Sequence, residues 1–347
     1  MSGKRTHVTL TKVAAAAGVS LATVSYALRN DRRIPRATAA RVQAVAKRLG
    51  YRPNPRVSAL MAYIREAKPV SVGERIAFLW VDAPPGVRPY QSMFGAAKER
   101  AIQLGYALEE FWLSSPGVSA SRLQQILYSR GIAGLLISPS YLPNPKFKID
   151  WDWNLFAAAV IGTAESEPEL HHSAHHHYGG MRLAMLQLEA MGKRRMVALL
   201  DKGIEERARR AWSAAFLAHH PMGNRAWDFL AQENPDNLSH LDAWIRKRKP
   251  DAILGDRRII EILLKQGWSP PPPATVIFLD WTPNHWGFGG IDQCEEVIAA
   301  NAVDLVAGQL QRNERGAPEQ VKMLFSAGHW ISAKRFPFLW GRKKEPN

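Results

Sequence analysis

Residues 8–29, VTLTKVAAAAGVSLATVSYALR, decide how the front of this 347-residue chain folds. Leu10, Val13, Ala14 and Ala17 recur at i, i+3, i+4 and i+7, one face of a first helix that Thr9 is placed to cap. Gly18 supplies the left-handed backbone that ends such a helix, and Val19 fills the corner. Ser20 then caps a second helix over Leu21 to Leu28. This is the grammar of a helix-turn-helix, whose second helix lies in the major groove of DNA with its first residues towards the base edges. A plain helical hairpin inside a core shares the spelling.

Charge separates the two readings. Residues 1–68 hold fourteen Lys and Arg against two acids, Asp31 and Glu66, a net of +12 out of +15 for the whole chain. Residues 69–347 carry thirty-two against twenty-nine. A basic module beside a nearly neutral remainder is the electrostatic footprint of a nucleic-acid binder, because each phosphate it neutralises releases condensed counterions. Membrane-surface binding is excluded by the absence of a wide apolar face bearing Trp or Phe in this segment.

The run V-T-L-x-x-V-A-x-x-A-G-V-S-x-x-T-V-S-x-x-L at Val8 to Leu28, with R-V-x-x-x-A-x-x-L-G-Y-R-P-N at Arg41 to Asn54, resembles the headpiece of the lactose repressor and galactose repressor (LacI/GalR) family. The resemblance implies that the two residues after the capping Ser20, Leu21 and Ala22, and Tyr26 further along read bases. Leu21 and Ala22 suit thymine methyls. Tyr26, at a place where many family members have arginine, offers one hydrogen bond or a stacking contact in place of a bidentate grip on guanine. Thr9, Ser20, Thr23, Ser25 and Arg29 read as groups that position phosphates.

The expected architecture is an all-α helix-turn-helix headpiece over 1–53, a hinge helix and linker over 54–73, and an α/β two-lobed core with parallel sheets over 74–347. A third helix is predicted from Arg36 to Leu49, its stripe of Ala39, Val42, Val45, Ala46 and Leu49 facing the headpiece core. Asn54 can cap and Pro55 suits a first helical position ahead of Val57, Leu60, Met61 and Ile64, again at helical spacing. A helix that short needs a partner face or a groove. The resemblance implies that it pairs with its twin in a homodimer, sets Asn54, Val57 and Ser58 against DNA and inserts Leu60 as a wedge in the minor groove.

From Ile76 onward the pattern changes to apolar strands alternating with amphipathic helices, the signature of parallel sheets covered on both faces. One helix is expected over Glu206 to His219. The resemblance extends weakly to the periplasmic sugar-binding proteins that supply this family's core, with ligands at the carboxyl ends of the strands between two lobes. It implies an effector, a sugar or sugar derivative. Asp280 at a strand end is the first candidate to accept from adjacent hydroxyls, with Asp256, Tyr90, Gln91 and Trp281 as further ligand residues. The family's anchoring arginine falls here on Ala208, which leaves either Arg207 or Arg209. The Asp-Asn common before the helix at Gly180 is replaced by His176-His177.

His171, His172 and His175 to His177 include i, i+4 pairs, but no cysteine or firm fourth ligand accompanies them, and the segment reads as a solvated loop entering a helix. No nucleophile triad, phosphate loop or metal-protease motif appears, so no catalytic residue, metal or cofactor is expected. A single cysteine, Cys294, and the lack of any export signal or membrane-length apolar run predict a cytoplasmic chain. The partners expected are double-stranded operator DNA, a small-molecule effector and a second copy of the chain. The rival readings are a sugar-binding protein with a vestigial headpiece and an enzyme on the same core.

Overall fold

The computed structural model describes residues 10–28, 34–49, 74–140, 146–285 and 287–333. The front end is three helices, α1 (Leu10–Ala17), α2 (Leu21–Leu28) and α3 (Arg36–Leu49). Gly18, at φ +64°, ends α1. Its N–H bonds the Ala15 carbonyl at 3.4 Å while that of Val19 bonds Ala14 at 3.2 Å, which satisfies two of the carbonyls the helix leaves open. Ser20 Oγ accepts from the Thr23 N–H at 3.1 Å, the cap read from the sequence. Val13, Ala14, Ala17, Val24, Ala27, Val42 and Ala46 form one small core, with Ala39, Val45 and Leu49 packed on it. The Gln43 amide donates to the Ala27 carbonyl at 3.0 Å and ties α3 to the last turn of α2.

The body is two lobes of like construction. The first lobe's sheet holds β1 (Arg75–Trp80), β2 (Ala107–Trp112), β3 (Ile132–Ile137), β5 (Ala157–Ile161), β7 (His171–His175) and β13 (Met323–Ser326), in the order β13-β7-β5-β3-β1-β2. The second holds β8 (Met196–Asp201), β9 (Leu230–Glu233), β10 (Ala252–Gly255), β11 (Thr275–Trp281), β12 (Gly289–Asp292) and β14 (His329–Ile331), in the order β14-β12-β11-β10-β8-β9. Within these two sheets only the β12–β14 pair runs antiparallel. A small pair, β4 (Lys146–Lys148) with β6 (Glu165–Glu167), flanks the first lobe.

In the first lobe α4 (Gln91–Gln103) and α5 (Ala120–Ser129) cover opposite faces of the sheet. The second lobe is covered by α6 (His177–Ala190), α7 (Lys202–Arg207), α8 (Ala211–His219), α9 (Leu241–Arg248) and α10 (Arg257–Lys265). The chain changes lobe three times. It leaves β7 for α6, whose Met181, Ala184 and Leu188 are buried in the second lobe. It returns from β12 through α11 (Glu295–Arg312), which buries Ile298, Val303 and Val306 in the first. It crosses again between β13 and β14.

Two expectations are corrected. The helix expected over Glu206 to His219 is broken, because Arg209 and Arg210 both take left-handed backbone at φ 55° and 56°. The Arg209 and Arg210 N–H groups turn back onto the carbonyls of Glu206 and Glu205 and so cap α7. The histidine-rich stretch is no solvated loop: His171 to His175 form strand β7, buried throughout between β5 and β13. Neutral imidazoles tolerate that burial when backbone groups partner them. His172 Nδ1 sits 3.0 Å from the Gly162 carbonyl, and His171 Nδ1 accepts from the Lys322 N–H at 3.1 Å.

Candidate functional site

The front end offers an outward helix on a cationic surface. Val24 and Ala27 of α2 point into the three-helix core, while Thr23 and Tyr26, one turn apart, are only half-buried. The hydroxyls of Ser20 and Thr23 lie 2.8 Å apart, so the cap and its neighbour are ordered together. Lys12, Arg36, Arg41, Lys47 and Arg48 are exposed, and the described front-end residues include no acid. The side chains of Leu21, Ala22 and Ser25, and all of Thr9, Arg29, Asn54, Val57, Ser58 and Leu60, lie outside the described residues.

The second site is a cleft of about 160 Å³ between the carboxyl ends of the two sheets. That is where parallel sheets with this order bind ligands, because loops from neighbouring strands diverge there. The first lobe contributes Tyr90, which precedes α4, with Ser140 after β3 and Thr163 after β5. The second contributes Arg207 at the end of α7, Arg257 at the start of α10 and Asp280 near the end of β11.

Arg207 spans the two lobes: its guanidinium donates to the Ser140 carbonyl, and its own carbonyl accepts from Thr163 Oγ1 at 2.6 Å. Ser140 is anchored in turn by donating its hydroxyl to Asp82. Opposite them Asp280 Oδ1 accepts from the Arg257 N–H at 2.7 Å, and Oδ2 lies 3.9 Å from Arg257 Nε. Burial pushes the Asp280 carboxyl up to about 8 against the pull of Arg257, and it pushes the Tyr90 phenol up as well. The cleft thus sets two guanidinium groups beside a carboxyl that holds its proton through neutrality.

Of the sequence-derived ligand residues, Tyr90, Arg207 and Asp280 meet at this cleft, and Arg207 is the arginine of the two candidates that lines it. Arg209 instead pairs with Glu169 at 3.2 Å outside the cleft. Asp256 is fully buried behind the wall, where it caps α10 through the Ile259 N–H at 3.1 Å and accepts the Asp201 N–H. Trp281 directs its indole N–H to the Phe288 carbonyl at 3.1 Å, and Gln91 is exposed on α4; neither lines the cleft. Arg257, Gln293, Thr163 and Trp212 line it without having been read from the sequence as ligand residues, and so do His175 and His177, which the sequence reading had set in a solvated loop. No spacing marks them, since they belong to separate elements.

The raised carboxyl has a measurable consequence. A group whose folded pKa lies above its unfolded value, about 3.9 for Asp, keeps a proton on folding, so its stabilising share is present at low pH and is lost as pH rises towards 8. Asp280→Asn removes that dependence. The stability of the wild type relative to Asp280→Asn is therefore expected to fall between pH 4 and 8 in denaturant titrations. A difference that stays flat, or that rises with pH, counts against a protonated Asp280.

Residues 9–54 match the model of the bacterial regulatory proteins of the lacI family. The chain is 54% identical over 61 residues to the HTH-type transcriptional regulator PtxS of Pseudomonas plecoglossicida, a match covering 17% of this chain and 18% of that relative's length. Among solved structures, the cellobiose complex of the transcriptional regulator CelR is similar over 94% of this chain and 99% of its own, with TM-score 0.52 and 17% identity. A LacI transcriptional regulator from a Rhodococcus species is similar over 75% of this chain and 97% of its own, with TM-score 0.53 and 15% identity. At such identities the likeness is one of fold: a helical front end joined to a two-lobed α/β body.

Proposed function

We propose that this chain, whose residues 9–54 match the lacI family of bacterial regulatory proteins, is a regulator of that family: a sequence-specific DNA-binding, effector-responsive repressor that binds a pseudo-palindromic operator as a homodimer. The observation that carries the reading is the cationic helix-turn-helix within residues 10–49, whose described residues include no acid, in the same chain as a cleft between two lobes. The first supplies affinity for a duplex and the second a place for a small molecule. A ligand that spans the lobes binds one arrangement of them better than another, and that preference is the energy available to change DNA affinity.

The headpiece is assigned to residues 1–53, the hinge helix and linker to 54–73 and the effector and dimerisation core to 74–347. Asn54, Val57, Ser58 and Leu60 are assigned to the minor groove at the hinge, and Leu21, Ala22 and Tyr26 to base edges. The effector is assigned as a sugar or sugar derivative, consistent with the CelR–cellobiose complex and with a periplasmic binding protein/LacI transcriptional regulator from Alkaliphilus metalliredigens solved with D-xylulofuranose, which is similar with TM-score 0.50. No helix among the described residues is long and apolar enough to cross a membrane, and the reading places the chain in the cytoplasm as a regulator without enzymatic activity.

Selection of bound sites from random duplexes, followed by footprinting at moderate salt, tests the proposal. A discrete palindrome is expected to be protected. Tyr26→Ala is expected to relax base preference at one position per half-site and to leave weak nonspecific binding intact, because one base contact is worth about 1–3 kcal/mol of discrimination. Equal binding to every duplex, or uniform loss across sequences in the variant, overturns it.

A further inference from the structure

The charge of the two-lobed body is unevenly placed. Three segments, Lys193–Arg195, Gly223–Phe229 and Arg246–Asp251, hold eight Lys and Arg against two acids, Asp228 and Asp251. The rest of residues 69–347 carries twenty-four against twenty-seven. The three segments are far apart in the chain, but each runs directly into a strand, β8, β9 and β10 in turn. These strands are neighbours in the second lobe's sheet, and β8 runs parallel to both of the others. The segments therefore meet at the amino ends of the strands, the pole opposite the interlobe cleft.

Hydrogen bonds tie them into one surface. Arg195 Nε donates to the Arg248 and Lys249 carbonyls, each at 3.2 Å. Arg248 donates through Nε to the Asp228 carbonyl and through a terminal nitrogen to the Trp244 carbonyl at 3.0 Å, and its guanidinium lies 3.6 Å over the Trp244 ring. These partners are neutral, so they fix the guanidinium groups without cancelling their charge. Among the described residues, carboxylates reach two of the eight cationic side chains: Asp228 meets Arg225 at 3.4 Å and Asp242 meets Arg246 at 2.9 Å. Asp251 engages both oxygens with the Arg194 and Arg195 N–H groups, at 2.8 and 3.0 Å. Arg194, Arg195, Lys247 and Lys249 are exposed. Like charges collected in this way repel one another until an anion arrives.

Trp227 stands among them, 68% exposed, the most exposed large apolar side chain of the described residues. It is one residue from the carbonyl that holds Arg248, and its exposed neighbours Asn224, Arg225 and Asp228 are polar. The aromatic anchor of a protein interface sits in a core from which charge is depleted. A ring interleaved with cations is instead the platform of single-strand recognition, in which cations follow the phosphates and the ring stacks on a base. A duplex offers the same phosphates but keeps its base faces stacked inside, which leaves Trp227 without a partner.

We propose that the pole at the amino ends of β8, β9 and β10 binds single-stranded nucleic acid, with Arg194, Arg195, Lys247 and Lys249 on the phosphates and Trp227 stacked on a base. The site is separate from the helix-turn-helix and from the cleft, and it does not depend on the function assigned to either.

The test is ultraviolet crosslinking of the full chain to oligouridylate and oligothymidylate of about twelve nucleotides, within the span such platforms cover. Random-sequence duplex in excess occupies the front end. Peptide mapping by mass spectrometry is expected to place the crosslink of at least one oligonucleotide at Trp227, and comparison of the two shows whether the pole prefers RNA or DNA. In fluorescence anisotropy under the same conditions, Trp227→Ala is expected to weaken the single strand about tenfold, and Trp227→Phe, which keeps a ring, to weaken it less. Arg194→Glu combined with Lys247→Glu is expected to weaken it at least as much and to flatten its dependence on salt. Arg182→Glu, an exposed cation on α6 outside the three segments, is expected to change nothing.

The proposal is overturned if crosslinks fall only within residues 1–53, if Trp227→Ala binds like the wild type, if no single strand binds, or if the duplex or poly-L-glutamate displaces the single strand as readily as unlabelled oligonucleotide does. Displacement by duplex would make the pole a second duplex grip, and displacement by poly-L-glutamate a surface for acidic proteins. Footprinting keeps these outcomes apart from the regulator assignment. A chain that protects a palindrome but binds no single strand retains its operator function and loses this site.

Discussion

Val24→Asp is expected to abolish specific duplex binding, by a thousandfold or more, and to leave the melting of the two-lobed body unchanged. Val24 is fully buried in α2, at the centre of a front-end core built mainly of Ala and Val. A core so small supplies no more than about 3–5 kcal/mol of net stability. Burial of an unpaired carboxylate costs several kcal/mol, so the substituted helices lose their common core and α2 loses its footing. None of the residues in this cluster belongs to a cluster of either lobe, which is why the body should not notice. Calorimetry of the full chain together with a gel shift on the selected operator checks both halves. Retained operator binding would mean that α2 is held by something other than this core.

Gly290→Ala is expected to destabilise the second lobe by about 3 kcal/mol, the upper part of the range for overpacking a close-packed interior. Gly290 lies on β12 opposite Phe278 of β11, just where the register of the two strands shifts. A Cβ there would sit 2.5 Å from the Phe278 carbonyl oxygen and 2.6 Å from Trp281 Cβ. A backbone oxygen in a sheet cannot retreat as a flexible side chain can. The strands must part, and β11 is the strand that carries Asp280 to the cleft. Hydrogen exchange of the β11 and β12 amides reads the effect directly, with faster exchange there and little change in β1 or β3. Gly95→Ala is the matched control: a Cβ at this position in α4 meets nothing within 4 Å, and alanine in place of glycine in a helix is expected to stabilise by roughly 0.5–1 kcal/mol. Unchanged exchange in β11 and β12 would show that the sheet absorbs the methyl group.

The front end was legible in the letters of the chain because what shapes it acts within one or two turns. Gly18 ends α1, Ser20 caps α2, and the apolar stripe of α3 falls on the buried side, each dictated by residues three or four positions away. The alternation of strand and helix in the body was legible for the same reason. The interior of that pattern was less so where local signals conflict with tertiary ones. His171 to His175 spell a polar loop and form a buried strand, because β5 and β13 pair with it on either side, while the Gly162 carbonyl and the Lys322 N–H each partner one ring nitrogen, of His172 and His171. The break at Arg209 and Arg210 likewise carries no glycine or proline to announce it.

The cleft divides along the same line. A strand-end carboxylate such as Asp280 can be picked out from its place in the chain together with a family resemblance, but the same reasoning put Asp256 and Trp281 beside it. One is a buried helix cap, and the other is turned to the Phe288 carbonyl. Sequence alone determined a cationic helix-turn-helix ahead of a parallel α/β body, since charge, caps and periodicity are properties of neighbouring residues. The packing of distant elements settles that Arg207 faces the cleft while Arg209 faces away, and that His177 and Trp212 line the cleft with Arg207. Membership of a site between two lobes depends on which strand and helix ends the chain brings together after crossing three times, and no spacing along the chain records that.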